Sequence, residues 1–170
     1  MKLDNITLIG MPGSGKSTVG VLLAKRIGYK FIDTDLLIQE KEGKRLFEIM
    51  REQGNDYFLE TENEVNASIE TKRTVIATGG SAVFGEKAME HLKSISKMVY
   101  IRVPCEVLKE RISDYSTRGI LMRRGQSFED IFAERTPLYE KYADVIVDTS
   151  SDGVFENCLK IEKALERFRK

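Results

Sequence analysis

GMPGSGKST, residues 10–18, sets Gly10, Gly15, Lys16 and Ser17 in the spacing G-x-x-x-x-G-K-[ST]. Glycines at those places let backbone N–H groups turn inward around phosphate oxygens. The helix that follows presents its positive end, the ammonium adds a point charge, and the serine hydroxyl can ligate Mg²⁺. Gly13, Ser14, Gly15, Lys16, Ser17 and Thr18 are therefore the expected contacts to a nucleotide's phosphates. An acidic pair comes next in FIDTDLL, where Asp33 and Asp35 stand two apart. Residues two apart in an extended segment share a side, so both carboxylates are expected to face the phosphate loop. One can join a Mg²⁺ shell while the other accepts a proton from an acceptor hydroxyl. The competing reading is an N-cap for LLIQEKEG, a role Asp35 is able to fill. In TVIATGGSAVF, Gly79 and Gly80 can present bare N–H groups to an acceptor or to a γ-phosphate. Together these groups suit phosphoryl transfer, which depends on positioning and charge neutralisation more than on covalent help. A guanine-reading Asn-Lys-x-Asp is absent, and VIVDTS, a hydrophobic run ending at Asp148, comes so late that it reads as a final strand.

These groups need a scaffold that brings distant segments to one edge. The apolar runs LDNITLIG, YKFIDTD, RTVIATGG, KMVYIRV and YADVIVDT alternate with amphipathic stretches, which predicts an α/β fold with a parallel sheet covered on both faces. STVGVLLAKRIG is expected to be a helix stopped by Gly28, and VFENCLKIEKALERFRK a closing helix with apolar Val154, Phe155, Leu159, Ile161, Leu165 and Phe168. NDYFLETENEV, residues 55–65, reads as the start of a surface helix, with Leu59 out of place among its acids. SDYSTRGILMRRGQS is polar and arginine-bearing, a candidate mobile lid over about 113–126. At 170 residues the chain is expected to be one unit, 1–170. Basic and acidic residues both total 27, so no global field recommends a nucleic acid or an anionic membrane as partner. Residues 1–9 lack a signal-peptide core and no apolar run approaches the ~20 residues that span a bilayer, so a cytoplasmic protein is expected. Nothing in the sequence demands more than a monomer. Cys105, Cys158 and the lone His91 are too scattered for a zinc site or a disulfide scaffold.

Taken in order, GMPGSGKST, FIDTDLLIQEKEG, the ATGG turn, the loop with Arg118, and AERTPLYEKYAD resemble the shikimate kinase family over almost the whole chain. The resemblance implies the nucleoside monophosphate kinase-like fold, with a five-stranded parallel sheet in order 2-3-1-4-5. It also implies transfer of the γ-phosphate of ATP to a ring hydroxyl of shikimate. By position, Ser17 and Asp33 would serve Mg²⁺, Asp35 the acceptor hydroxyl, and Arg118 the phosphates. Arg111 would stack on adenine, and Arg135 would grip the acceptor's carboxylate. Phe58, Leu59, Gly79, Gly80 and Ser81 would line the acceptor site within a helical region of about 34–70 and the turn after the third strand. Three positions depart from the family pattern. Phe-Arg-x-x-Glu becomes Phe58-Leu59-Glu60-Thr61-Glu62, Gly-Gly-Gly becomes Gly79-Gly80-Ser81, and Arg-Pro-Leu-Leu becomes Arg118-Gly119-Ile120-Leu121. The first removes one of two carboxylate-binding arginines, for which Arg123 or Arg124 could substitute. It leaves a different small hydroxyl compound open as acceptor, and a non-catalytic ATP-binding regulator open as a role.

Overall fold

A computed structural model describes residues 4–113, 118–150 and 153–168 of the chain. Its strands are β1 (Asn5–Ile9), β2 (Lys30–Asp33), β3 (Thr74–Ala77), β4 (Lys97–Arg102) and β5 (Val145–Asp148), all parallel, in the order β2-β3-β1-β4-β5. The helices are α1 (Lys16–Ile27), α2 (Thr34–Glu42), α3 (Leu46–Gln53), α4 (Asn55–Ala67), α5 (Glu86–Ile95), α6 (Cys105–Arg111), α7 (Phe128–Tyr142) and α8 (Val154–Leu165). β1 and β3 are buried at every position, polar Asn5, Thr7 and Thr74 included, because helices cover both faces of the sheet. α1 packs on α8, and α4 packs on α5. Asp148 closes β5 paired with Arg102 (Nε to Oδ1, 2.5 Å), in keeping with its reading as the end of a final strand.

The register fixes the functional edge. Asp33 lies beside Ala77, and Ala77 beside Leu8, so the carboxyl ends of β2, β3 and β1 come level. The phosphate loop, the acidic pair and the Gly79–Gly80 turn are thereby neighbours. This is the crevice at the carboxyl ends of strands where ligands bind in open α/β sheets. Thr78 tightens the junction, its N–H and its hydroxyl both donating to Leu8 O at 3.2 and 3.1 Å.

α4 is a surface helix with one deeply buried face: Phe58, Thr61, Glu62, Val65 and Asn66 are buried, because its i, i+4, i+7 face packs on α5 and the turn after β3, while Asp56, Glu60 and Glu64 are exposed. α8 buries Asn157, Cys158, Ile161 and Leu165, whereas Val154, Phe155 and Leu159 stay exposed; Phe155 instead lies under the Arg26 guanidinium. α2, α3 and α4 share a small second core of Ile38, Ile49, Phe58 and Val65, into which Leu121 inserts. The stretch 113–126, expected as a polar lid, is thus anchored through Leu121, which is only 6% exposed. Residues 114–117 of that stretch lie outside the described residues. Cys105 and Cys158 are free thiols, and His91 Nε2 is 2.7 Å from Ile69 O. Among the described residues, no helix is long and apolar enough to cross a membrane.

Candidate active site

α1 begins at Lys16 behind Gly15, whose φ of 91° is a left-handed turn that favours glycine. The turn folds the loop over the lysine. Lys16 Nζ donates to Gly10 O (2.7 Å) and Met11 O (2.8 Å), with Ser14 Oγ at 3.4 Å. Burial pushes this ammonium down to about 8, opposed by the carboxylates of Asp35 and Asp33. Next to it, Ser17 Oγ donates to Asp33 Oδ2 at 2.6 Å.

Asp33 ends β2 and its other oxygen accepts the Asp35 N–H at 3.0 Å, so Asp33, not Asp35, caps α2. The two acids therefore do not share an extended segment. Asp35 sits in the first turn of α2, and the helical turn rather than strand alternation aims it into the cleft. Burial first, and then the charge of Asp33, raises the Asp35 carboxyl to about 6, with Lys16 opposing.

Facing the phosphate loop is the turn after β3. Gly79 has no room for a side chain: a Cβ there would lie 2.6 Å from Asp35 Oδ1 and 2.6 Å from Glu62 Oε1. Gly80 is pressed against Pro12 and is held by Tyr139, whose hydroxyl donates to Gly80 O at 2.5 Å. Tyr139 in turn stacks on Tyr100 with ring centroids 5.1 Å apart. Ser81 Oγ donates to Glu62 Oε2 at 2.6 Å. Burial raises the Glu62 carboxyl to about 8, against the Ser81 hydrogen bond. Arg135, on α7, is 1% exposed; its Nη2 donates to Leu121 O at 2.6 Å and its guanidinium lies over the Phe84 ring. Its Nε has no partner, and among the described residues no carboxylate pairs with it.

One cleft of about 260 Å³ collects most of the residues singled out in the sequence. Gly13, Gly15, Lys16, Ser17 and Thr18 form one wall; Asp35, Phe58, Gly79, Gly80, Ser81 and Arg135 form the other, with exposed Arg118 at the mouth. Ser14 is buried behind the loop, and Asp33 touches it through Ser17. Arg111 stands outside the cleft, donating to Gly13 O at 3.4 Å and to Ser150 O. Leu59 is the exception on the acceptor side. It does not line this cleft but an adjoining groove with Leu121, Arg123 and Arg124, because the turn of α4 that aims Phe58 and Glu62 inward directs position 59 aside. Arg123 there is 3.6 Å from Glu134, and neither Arg123 nor Arg124 lines the cleft. Thr78, Leu46, Ile120 and Leu121 also line the cleft and were not legible as site residues. Glu62 is not among the site residues named from the sequence, although its four-residue offset from Phe58 and its place as the acid of the Phe-Arg-x-x-Glu pattern both signal it.

A glycine-built anion cradle at the switch point of a five-stranded parallel sheet, with a buried carboxyl and a buried guanidinium facing it, defines a P-loop phosphotransferase. Comparison with known proteins narrows the class. The "Shikimate kinase" family pattern matches residues 12–166. A shikimate kinase of Clostridium botulinum (strain Okra / Type B1) is 39% identical, covering 98% of this chain and 99% of its own. Among solved structures, shikimate kinase from Acinetobacter baumannii in complex with shikimate superposes with a TM-score of 0.90 at 31% identity, over 99% of this chain and 96% of that one. The enzyme from Aquifex aeolicus gives 0.82 at 35% identity, over 97% and 98%. The chain belongs to the shikimate kinase family, whose members are phosphotransferases with an alcohol acceptor.

Proposed function

We propose that this enzyme transfers the γ-phosphate of ATP to a hydroxyl of shikimate, giving shikimate 3-phosphate and ADP. The observation that carries the acceptor assignment is Arg135. A guanidinium buried without a carboxylate partner costs several kcal/mol, on the order of 3 to 5 when a pair is broken, and an acceptor bearing a carboxylate meets that need. The loop amides and Lys16 hold the phosphates, and Arg118 at the cleft mouth neutralises charge that spreads over the transferred group. Asp35 takes the proton of the attacking hydroxyl as the new oxygen–phosphorus bond forms and the bond to the leaving ADP oxygen breaks. Its raised pKa suits a base working near neutrality.

The donor set fits Mg²⁺. Ser17 Oγ and Asp33 Oδ2 supply hard oxygens, which suits an ion that takes its remaining ligands from water and phosphate. When bound, the ion would neutralise charge on the phosphates. Arg111, whose guanidinium donates to Gly13 O on the outer side of the loop, is read as stacking on adenine. The enzyme is read as one domain over 1–170, a cytoplasmic monomer, with the lid over about 113–126 closing on the acceptor. A second reading, a different small hydroxy acid as acceptor, draws on Leu59, which leaves the cleft one arginine short of the family pattern. Steady-state phosphorylation of shikimate beside a panel of hydroxy acids and sugars decides between them. A kcat/KM for shikimate exceeding every other acceptor's supports the first reading, and a better acceptor of another kind supports the second. Tight ATP binding with no acceptor phosphorylated would instead favour the regulator.

A further inference from the structure

Two of the departures from the family pattern, Leu59 and Ser81, meet at one side chain. Glu62 is 1% exposed and lines the cleft beside Gly79. Its Oε2 accepts from Ser81 Oγ at 2.6 Å, while its Oε1 is buried with no partner. Asp35 Oδ1 and Glu62 Oε1 are each 2.6 Å from the point where a Gly79 Cβ would lie, so they stand no more than twice that distance apart. Two carboxylates so close in a buried site do not both ionise readily. Both acids feel Lys16, and of the two Asp35 acts on it more strongly. Glu62 forms no ion pair among the described residues, though Lys16, Arg135, Asp35 and the Tyr139 hydroxyl all face it. A guanidinium at position 59, one helical turn away on α4, would be near enough to hold Glu62 ionised. Leu59 cannot do so, and it packs with Leu121 instead.

We propose that Glu62, clamped by Ser81, is an uncharged specificity residue of the acceptor site: Oε1 offers a hydrogen to the acceptor beside Gly79, and the neutrality of the side chain leaves Arg135 to the acceptor's carboxylate. An ionised Glu62 would compete with that carboxylate for the same guanidinium. Ser81, present where the family pattern has glycine, fixes which oxygen keeps the proton. The proposal rests on the acceptor being a carboxylate-bearing alcohol.

The test compares wild type, Glu62→Gln and Ser81→Ala. Glutamine keeps the shape and one donor without the charge. Because Glu62 contacts the acceptor, this variant is expected to shift the KM for shikimate by about two- to fivefold at pH 7, with the KM for ATP as in wild type. Ser81→Ala is expected to raise the KM for shikimate about tenfold, by freeing Glu62 to turn. In wild type the KM for shikimate rises as pH passes about 8 and Glu62 ionises, and in Glu62→Gln that rise is flattened. Burial pushes Lys16 down to about 8 while Glu62 raises it, so the KM for ATP over the same pH range serves as the control for that lysine. Unfolding of the whole chain gives a readout free of substrate. A carboxyl held protonated when folded adds stability that is full below its unfolded pKa of 4.5 and is lost as pH climbs to about 8. Wild type should therefore lose melting temperature between pH 5 and 8, and Glu62→Gln should lose less. A KM for shikimate at least tenfold higher in Glu62→Gln, or identical pH slopes of melting in the two proteins, overturns the proposal. If shikimate is not phosphorylated by wild type at all, the acceptor assignment fails, and the unfolding slopes still decide the charge on Glu62.

Discussion

Gly79→Ala places a methyl group where the account allows none. Gly79 is not among the positive-φ glycines, so alanine can adopt its backbone and any effect is steric. The methyl would meet Asp35 Oδ1 and Glu62 Oε1 at 2.6 Å each. Carbon–oxygen contacts settle near 3.3–3.6 Å, so the two carboxyl groups must retreat by roughly 0.7–1 Å between them and the new methyl. Misplacing a catalytic group by about 1 Å costs on the order of 100-fold. The expected outcome is a fall in kcat of about 100-fold, with the KM for ATP within about threefold because the phosphate loop is untouched. Overpacking should also cost about 1–3 kcal/mol of stability, visible as a lower melting temperature of a still-folded protein. Steady-state ADP release at saturating ATP and shikimate, beside a thermal melt, reads both effects. A folded variant whose kcat stays within about threefold of wild type would refute the reasoning, since the position of Asp35 would then be shown not to matter.

Other perturbations address the remaining groups. Asp35→Asn removes the proton acceptor and keeps the shape; kcat should fall by about 10²- to 10⁴-fold while ATP binding, followed by calorimetry, stays near wild type. Asp33→Asn keeps a competent helix cap for α2 but weakens the oxygen set with Ser17, so the Mg²⁺ concentration for half-maximal activity should rise about tenfold or more. Arg135→Lys preserves the charge and loses the bidentate fork, and should raise the KM for shikimate about tenfold to a hundredfold with the KM for ATP unchanged, measured by varying each substrate in turn.

The parts of the site that the sequence displayed openly are those whose chemistry lies in contiguous residues. The phosphate loop needs its glycines, lysine and serine at fixed offsets, so Gly15, Lys16 and Ser17 could be named before any fold was known. The sheet order followed once the alternation of strands and helices was joined to the family resemblance, and the observed register bears it out. Position relative to distant chain was harder. Asp33 and Asp35 were visible as a pair, but which one caps α2 depends on where β2 stops. Glu62 sits in a run that looks solvated; only the approach of Gly79, from a strand beginning at Thr74, buries it. Leu59 fills a position that the family pattern gives to an acceptor contact, yet α4 turns it into the groove beside the cleft. The apolar count of α8 likewise misled, since Cys158 and Asn157 are buried while Phe155 finds its partner in Arg26 at the surface.

ATP is expected to phosphorylate shikimate in the cleft between the phosphate loop and Arg135. Phosphorus NMR and mass spectrometry of a mixture of the protein, Mg²⁺, ATP and shikimate test it most directly. Shikimate 3-phosphate and ADP should appear in equal amounts, with no product from the Asp35→Asn protein on the same timescale. ADP accompanied only by free phosphate, or phosphorylation of another hydroxy acid in preference to shikimate, would contradict it.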